Sequence, residues 1–128
     1  MTILLDTSAL LAMLNDEPGG DRVTTIIADA CMSVINLAEV ASYFVHLGMP
    51  PRDVDAMLLS LPITLVPVDA ALALAAGHLR GVTARAGLSL GDRFCLALAA
   101  REGLPAWTAD RQWAQVADAV GVEIMLIR

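Results

Sequence analysis

The chain has 128 residues, a length that suits one domain around one core, and although 57% of them are apolar, no stretch reaches the roughly 20 residues of a membrane-spanning helix. The net charge is −6, and all eight basic residues are arginine. An acidic balance argues against broad electrostatic capture of nucleic acid, yet it leaves room for a nuclease whose acids hold divalent cations. Cys31 and Cys95 match neither a disulfide framework nor a zinc spacing, so two buried free thiols are expected. The N-terminus carries no basic region or signal-cleavage pattern, which predicts a cytosolic protein. A small domain this apolar is expected to cover part of its surface with a partner.

Ile3-Leu4-Leu5 is a short apolar run that suits a central strand buried on both faces, ending at Asp6. A short helix from Ala9 to about Asn15 follows, then a turn over Glu17-Pro18-Gly19-Gly20-Asp21. Arg22 to Asp29 reads as a helix, and Cys31 to Ile35 as a second strand. Asn36 to Leu47 is the clearest helix: Leu37, Val40, Ala41, Phe44 and Val45 repeat at i, i+3, i+4, i+7 and i+8. Arg52 to Ser60 is another. Ile63 to Val68 reads as a strand placed at a sheet edge, because Pro67 has no N–H to give a ladder. The Ala- and Leu-rich run from Asp69 to about Arg85 predicts a long helix broken by Gly87. Leu90 to Arg101 is a further helix, Pro105 to Thr108 a strand, Arg111 to about Val120 a last helix, and Val122 to Ile127 a closing strand. Strands alternating with helices imply about five parallel strands in a three-layer α/β/α sandwich, a single domain over residues 1–128.

Five acids are expected at helix starts: Asp6, Glu39, Asp69, Asp92 and Asp110. Taken one at a time, each is most simply a cap, since an acid in a first turn gains roughly 0.3–1 kcal/mol from the helix dipole. Asn36-Leu37-Ala38-Glu39 and Ser89-Leu90-Gly91-Asp92 both have the form of capping boxes. Topology changes the weight of the set. In a parallel sheet, helices that follow a strand and helices that lead back to one all begin at the strands' carboxyl edge. The acids nearest the centre would converge there and repel unless a cation compensates. Mg²⁺ or Mn²⁺ suits an all-oxygen site. Acids, a hard cation and helix N-termini that favour phosphate together suggest phosphodiester hydrolysis.

Leu5-Asp6-Thr7-Ser8-Ala9-Leu10, Asn36-Leu37-Ala38-Glu39-Val40, Leu90-Gly91-Asp92-Arg93-Phe94-Cys95-Leu96-Ala97-Leu98-Ala99 and Trp107-Thr108-Ala109-Asp110-Arg111-Gln112-Trp113 occur in this order. They resemble the motifs of PIN-domain ribonucleases, most nearly the VapC toxins of bacterial toxin–antitoxin pairs. The resemblance spans the chain. It implies a sheet centred on the Asp6 strand and Mg²⁺- or Mn²⁺-dependent cleavage of RNA. Carried over residue by residue, the acidic site falls on Asp6, Glu39, Asp92 and Asp110. Asp6 and Asp92 would be the main metal ligands, Asp110 would complete a second site or hold metal-bound water, and Glu39 would orient water or bind metal. Thr7, Ser8 and Thr108 would bond these carboxylates or phosphate. It further implies a groove for the helical C-terminal segment of a VapB-like antitoxin, which often inserts a basic side chain among the acids, and a homodimer. Asp69 matches no site motif and is left as a helix cap.

Other residues draw blander readings. His46 and His78 are expected as partly exposed helix residues, and Cys95 as core. Trp113 is open to base stacking or packing, and Arg93 and Arg111 to phosphate contact or to offsetting the carboxylates. A housekeeping RNA-processing nuclease and a non-catalytic α/β binding module stand as alternatives. A metal-dependent adhesion site fails because Leu10 stands where its second serine belongs, and a haloacid-dehalogenase-type phosphatase fails because Ser8 stands where its second aspartate belongs.

Overall fold

The computed structural model describes residues 1–128. Five strands, β1 (Ile3–Leu5), β2 (Ala30–Ser33), β3 (Thr64–Val66), β4 (Ala106–Thr108) and β5 (Ile124–Leu126), form one parallel sheet in the order β3-β2-β1-β4-β5. β1 is therefore the centre: Leu4 lies opposite Cys31 on one side and Ala106 on the other. β3 is an edge strand, as expected, but it is shorter than the expected run over Ile63 to Val68 and ends at Val66, so Pro67 lies just outside it.

The pleat of β1 divides the core. Ile3 and Leu5 point into one apolar cluster with Leu10, Val23, Val40, Phe44, Val54 and Leu58. Leu4 points into the other with Leu72, Ala76, Leu96, Leu98 and Trp113. Burying a leucine of this kind contributes about 1.5–3 kcal/mol. The first cluster is covered by α1 (Thr7–Leu14), α2 (Gly20–Ile26), α3 (Val34–His46) and α4 (Pro51–Leu59), the second by α5 (Ala70–His78) and α7 (Leu90–Glu102). Helices on both faces of a parallel sheet complete the three-layer α/β/α fold. α7 is buried from Gly91 to Ala99 except at Asp92, so it is the central helix of its layer.

Several boundaries differ from expectation. The second strand ends at Ser33, and Val34 and Ile35 belong to α3, because Ser33 accepts the Ile35 N–H and caps that helix. Asn36 is therefore inside the first turn of α3 and does not cap it. The long helix expected from Asp69 divides into α5, α6 (Arg80–Thr83) and a 3-10 turn at Ala84–Ala86 that closes on Gly87 at φ +70°. The last helix is a 3-10 turn at Arg111–Gln115 followed by α8 (Ala117–Val120). Val45 points to solvent although it fits the apolar template. Both cysteines are buried and free, and both histidines are exposed, as expected.

The turn between α1 and α2 is held against the chain end. Arg22 reaches the carbonyls of Leu126 and Ile127 and lies 5.7 Å from the Trp107 ring centre. A Cβ on Gly19 would strike the Ile127 carbonyl, and one on Gly20 would strike the Ala12 carbonyl. Gly20→Ala should therefore force α1 and α2 apart and lower unfolding free energy by about 2 kcal/mol or more. A urea midpoint unchanged from wild type would contradict this packing.

Candidate active site

Asp6 leaves the end of β1 in an extended conformation (φ −87°, ψ 176°) and becomes the N-cap of α1, its Oδ1 accepting the Ala9 N–H at 2.8 Å. The strand buries it, and only 2% of its surface is exposed. Ser8 Oγ reaches both of its oxygens at 2.8 Å, and Thr108 Oγ1 donates to Oδ2 at 2.5 Å. Thr108 also accepts the Asp110 N–H at 3.0 Å, and Ser8 accepts the Ala109 N–H at 2.9 Å. The ends of β1 and β4 are thus tied together through hydroxyls bonded to one carboxylate. Burial pushes the Asp6 pKa up to about 7; its hydrogen bonds oppose this, and the charge of Asp92 adds to it.

Asp92 occupies the third position of α7. It forms a capping box with Ser89, accepting the Ser89 N–H at 2.9 Å while its own N–H meets Ser89 Oγ at 3.2 Å. Desolvation raises its pKa, the Ser89 bonds lower it, and the charges of Asp110 and Glu39 raise it. Asp110 caps the 3-10 turn at Arg111–Gln115 by accepting the Gln112 N–H. For Asp6, Asp92 and Asp110, capping a helix and standing at the sheet edge are therefore the same placement. Each carboxylate sits at a helix start, and those starts share the carboxyl edge of the sheet.

Glu39 departs from expectation: it lies in the second turn of α3, not in a capping box. Thr7 Oγ1 donates to its Oε1 at 2.6 Å, and Asn36 Nδ2 donates to the same oxygen at 2.9 Å. The carboxylate rests on Gly91, where any Cβ would collide with it. Sequence reasoning missed the role of Asn36; the available signal was its i, i+3 spacing to Glu39 on one helix face. Asp69 caps α5 through the Leu72 N–H and approaches Arg101 at 3.8 Å.

None of the chain's ion pairs involves Asp6, Glu39, Asp92 or Asp110. Arg93 is buried and forms no ion pair with these acids, and Arg111 is exposed beside Asp110 without bonding it. Trp113 is fully buried, which removes it from base stacking and makes it core. As the side chains stand, no three acids converge on a single point. Like charges with no counterion between them gain by standing apart, and three of these acids are also held by their caps. Their chemistry fits a hard divalent cation: the donors are all oxygen, no basic partner competes, and each carboxylate retains lone pairs beyond its present bonds.

The family model for the PIN domain matches residues 3–119. This chain is a VapC-type member of the PIN-domain family. Ribonuclease VapC of Mycolicibacterium smegmatis is 37% identical over 112 residues, covering 80% of this chain and 87% of that protein. Two solved structures share the fold. A toxin–antitoxin complex from Klebsiella pneumoniae matches at TM-score 0.74 and 19% identity over 99% of this chain and 98% of that one. DNA-bound VapBC from Salmonella typhimurium matches at TM-score 0.74 and 21% identity over 100% and 99%. In this PIN domain the central strand carries Asp6, and the sheet order puts β2 and β4, which lead to α3 and Asp110, on either side of it.

The burial of Asp6 has a measurable consequence for stability. Its folded pKa is raised, so between about pH 4 and pH 7 the native state holds a proton that the unfolded chain has released. Stability from this group is therefore complete below about pH 4 and lost as pH rises to about 7, by about 1.4 kcal/mol per pKa unit. Asp6→Asn should flatten this slope and unfold at higher urea than wild type at pH 8 in chelator. Equal urea midpoints for the two proteins across this range would show that the carboxylate is not desolvated.

Proposed function

We propose that this PIN domain is a divalent-cation-dependent endoribonuclease and the toxin of a toxin–antitoxin pair. The observation that carries the reading is the gathering of Asp6, Glu39, Asp92 and Asp110 at one sheet edge without a basic partner, in a chain 37% identical to ribonuclease VapC over most of its length. The resemblance of its motifs to those of VapC toxins also favours a toxin over a housekeeping processing enzyme. Four motif acids, all retained, argue against a binding module that merely uses them as caps.

Asp6 and Asp92 would hold Mg²⁺ or Mn²⁺, with Asp110 and Glu39 completing the donor set. The bound cation would lower the pKa of an attacking water and stabilise the leaving oxygen of a phosphodiester. Ser8 and Thr108 hold Asp6 in one rotamer, so its oxygens face a fixed position. Thr108 also ties the backbone of Asp110 to that position. Glu39, held by Thr7, orients water at the site. The exposed N-termini around Ser89 and Asp110 favour the approach of a phosphate group.

An antitoxin segment finds a groove of about 350 Å³ between α3 and α4, lined by Val34, Leu37, Ala38, Ala41 and Leu58. The outer face of α5 exposes Ala71, Leu74 and Ala75, with Leu74 at 63%, and offers a second copy of the chain an apolar surface.

The chain freed of any partner should cleave a fluorescent single-stranded RNA with Mg²⁺ or Mn²⁺ and not with chelator. Asp6→Asn should abolish cleavage, and Asp69→Asn should retain it. Cleavage by Asp6→Asn at the wild-type rate would reject this site.

A further inference from the structure

Asn36 is fully buried in α3, yet it makes no capping bond and belongs to none of the acids' own contacts with helix starts. Its amide nitrogen faces three oxygens: Glu39 Oε1 at 2.9 Å, the Gly91 carbonyl at 3.1 Å and Thr7 Oγ1 at 3.3 Å. Two of these accept only, so they fix which end of the amide points to them. The other end, Oδ1, is buried with no hydrogen-bond partner. Leaving such an acceptor unpaired is destabilising, and an apolar side chain of similar size would avoid that loss. Packing alone does not account for an asparagine here.

Glu39 accepts all its hydrogen bonds on one carboxylate oxygen. Thr7 and Asn36 both donate to Glu39 Oε1, and no protein donor reaches Oε2. Gly91 forms the floor, since its missing Cβ leaves the space the carboxylate occupies. Through the Gly91 carbonyl, Asn36 also ties this arrangement to the first turn of α7, which carries Asp92. Two donors on one oxygen and none on the other hold the side chain in a single orientation.

We infer that Asn36 is a positioning residue that, with Thr7 and the floor at Gly91, clamps Glu39 by Oε1 so that Oε2 is presented to the divalent cation. The inference rests on the proposed reading of the acids as a cation site. It acts through Glu39: Asn36 itself need not touch cation or RNA. Outer-shell partners of this kind typically change metal affinity or activity by about 10–100-fold.

The test is Mn²⁺ binding by calorimetry on wild type, Asn36→Leu, Glu39→Gln and the double variant, with urea unfolding of each. Asn36→Leu removes the donors and the orphaned oxygen together. It should unfold at a urea midpoint equal to or above wild type while binding Mn²⁺ about tenfold more weakly. In the Glu39→Gln background it should change Mn²⁺ affinity no further. Thr7→Val, which removes only the other donor to Oε1, should weaken Mn²⁺ in the same direction, and it serves as the measurement if Asn36→Leu does not fold. Unchanged affinity in Asn36→Leu, or in Thr7→Val where it stands in, overturns the inference while leaving a wild type that binds Mn²⁺ and cleaves RNA intact as a nuclease. An equal loss in the Glu39→Gln background also overturns it. A wild type that binds no Mn²⁺ rejects both this inference and the cation-dependent reading.

Discussion

The structure depends on one carboxylate buried where the central strand ends. Asp6 closes β1, starts α1, and gathers the Ala9 N–H, Ser8 Oγ and Thr108 Oγ1 around two oxygens. Through Ser8 and Thr108 it also holds the backbone at Ala109 and Asp110, which ties β4 to β1 beyond the last ladder bond. Burial makes that carboxylate expensive to ionise. Its donors repay only part of this, which is why its pKa stays high. A residue that is both a structural knot and a desolvated charge invites a cation, because a cation removes the penalty that the fold creates.

The parallel sheet determines which other acids stand along the same edge. Asp92 arrives through the first turn of the buried helix α7, and Asp110 through the end of β4. Both are capping residues, and their caps fix where the side chains begin. Capping a helix and standing at the carboxyl edge of the sheet turn out to be one arrangement for these residues. The helix dipole holds the carboxylates at the sheet edge, and the sheet brings those edges together. Asp69 shows the control case. It caps α5 equally well, but β3 is an edge strand two places from β1, and the residue stays out of the cluster.

Glu39 reaches the cluster by a different route. It is not at a helix end, so no dipole or cap places it. A buried amide, a hydroxyl and the absence of a side chain at position 91 place it instead, drawn from three segments of the chain. That is why the local reading of Asn36 and Glu39 as a capping box failed. A capping box is a four-residue pattern; Asn36 does bond Glu39, but as a side-chain donor, and the other partners of Glu39 lie 32 residues before it, at Thr7, and 52 after it, at Gly91.

The amino-acid sequence by itself determined the elements and their layering. Apolar runs of three or four residues separated by helical periods are the signature of a parallel sheet covered on both faces, and Pro67 alone assigned the edge. It also determined the acids, because four short motifs in order mark them. Tertiary structure decided what those residues do to one another. Helix boundaries moved where Ser33 captured a nearby N–H, and the long helix after Asp69 broke into shorter pieces. Trp113 became core, Arg93 was buried away from the acids, and Asn36 became the clamp on Glu39. Propensity and periodicity report on neighbours along the chain. Burial, pKa and the direction of a hydrogen bond depend on atoms brought from distant segments, and only the folded chain places those.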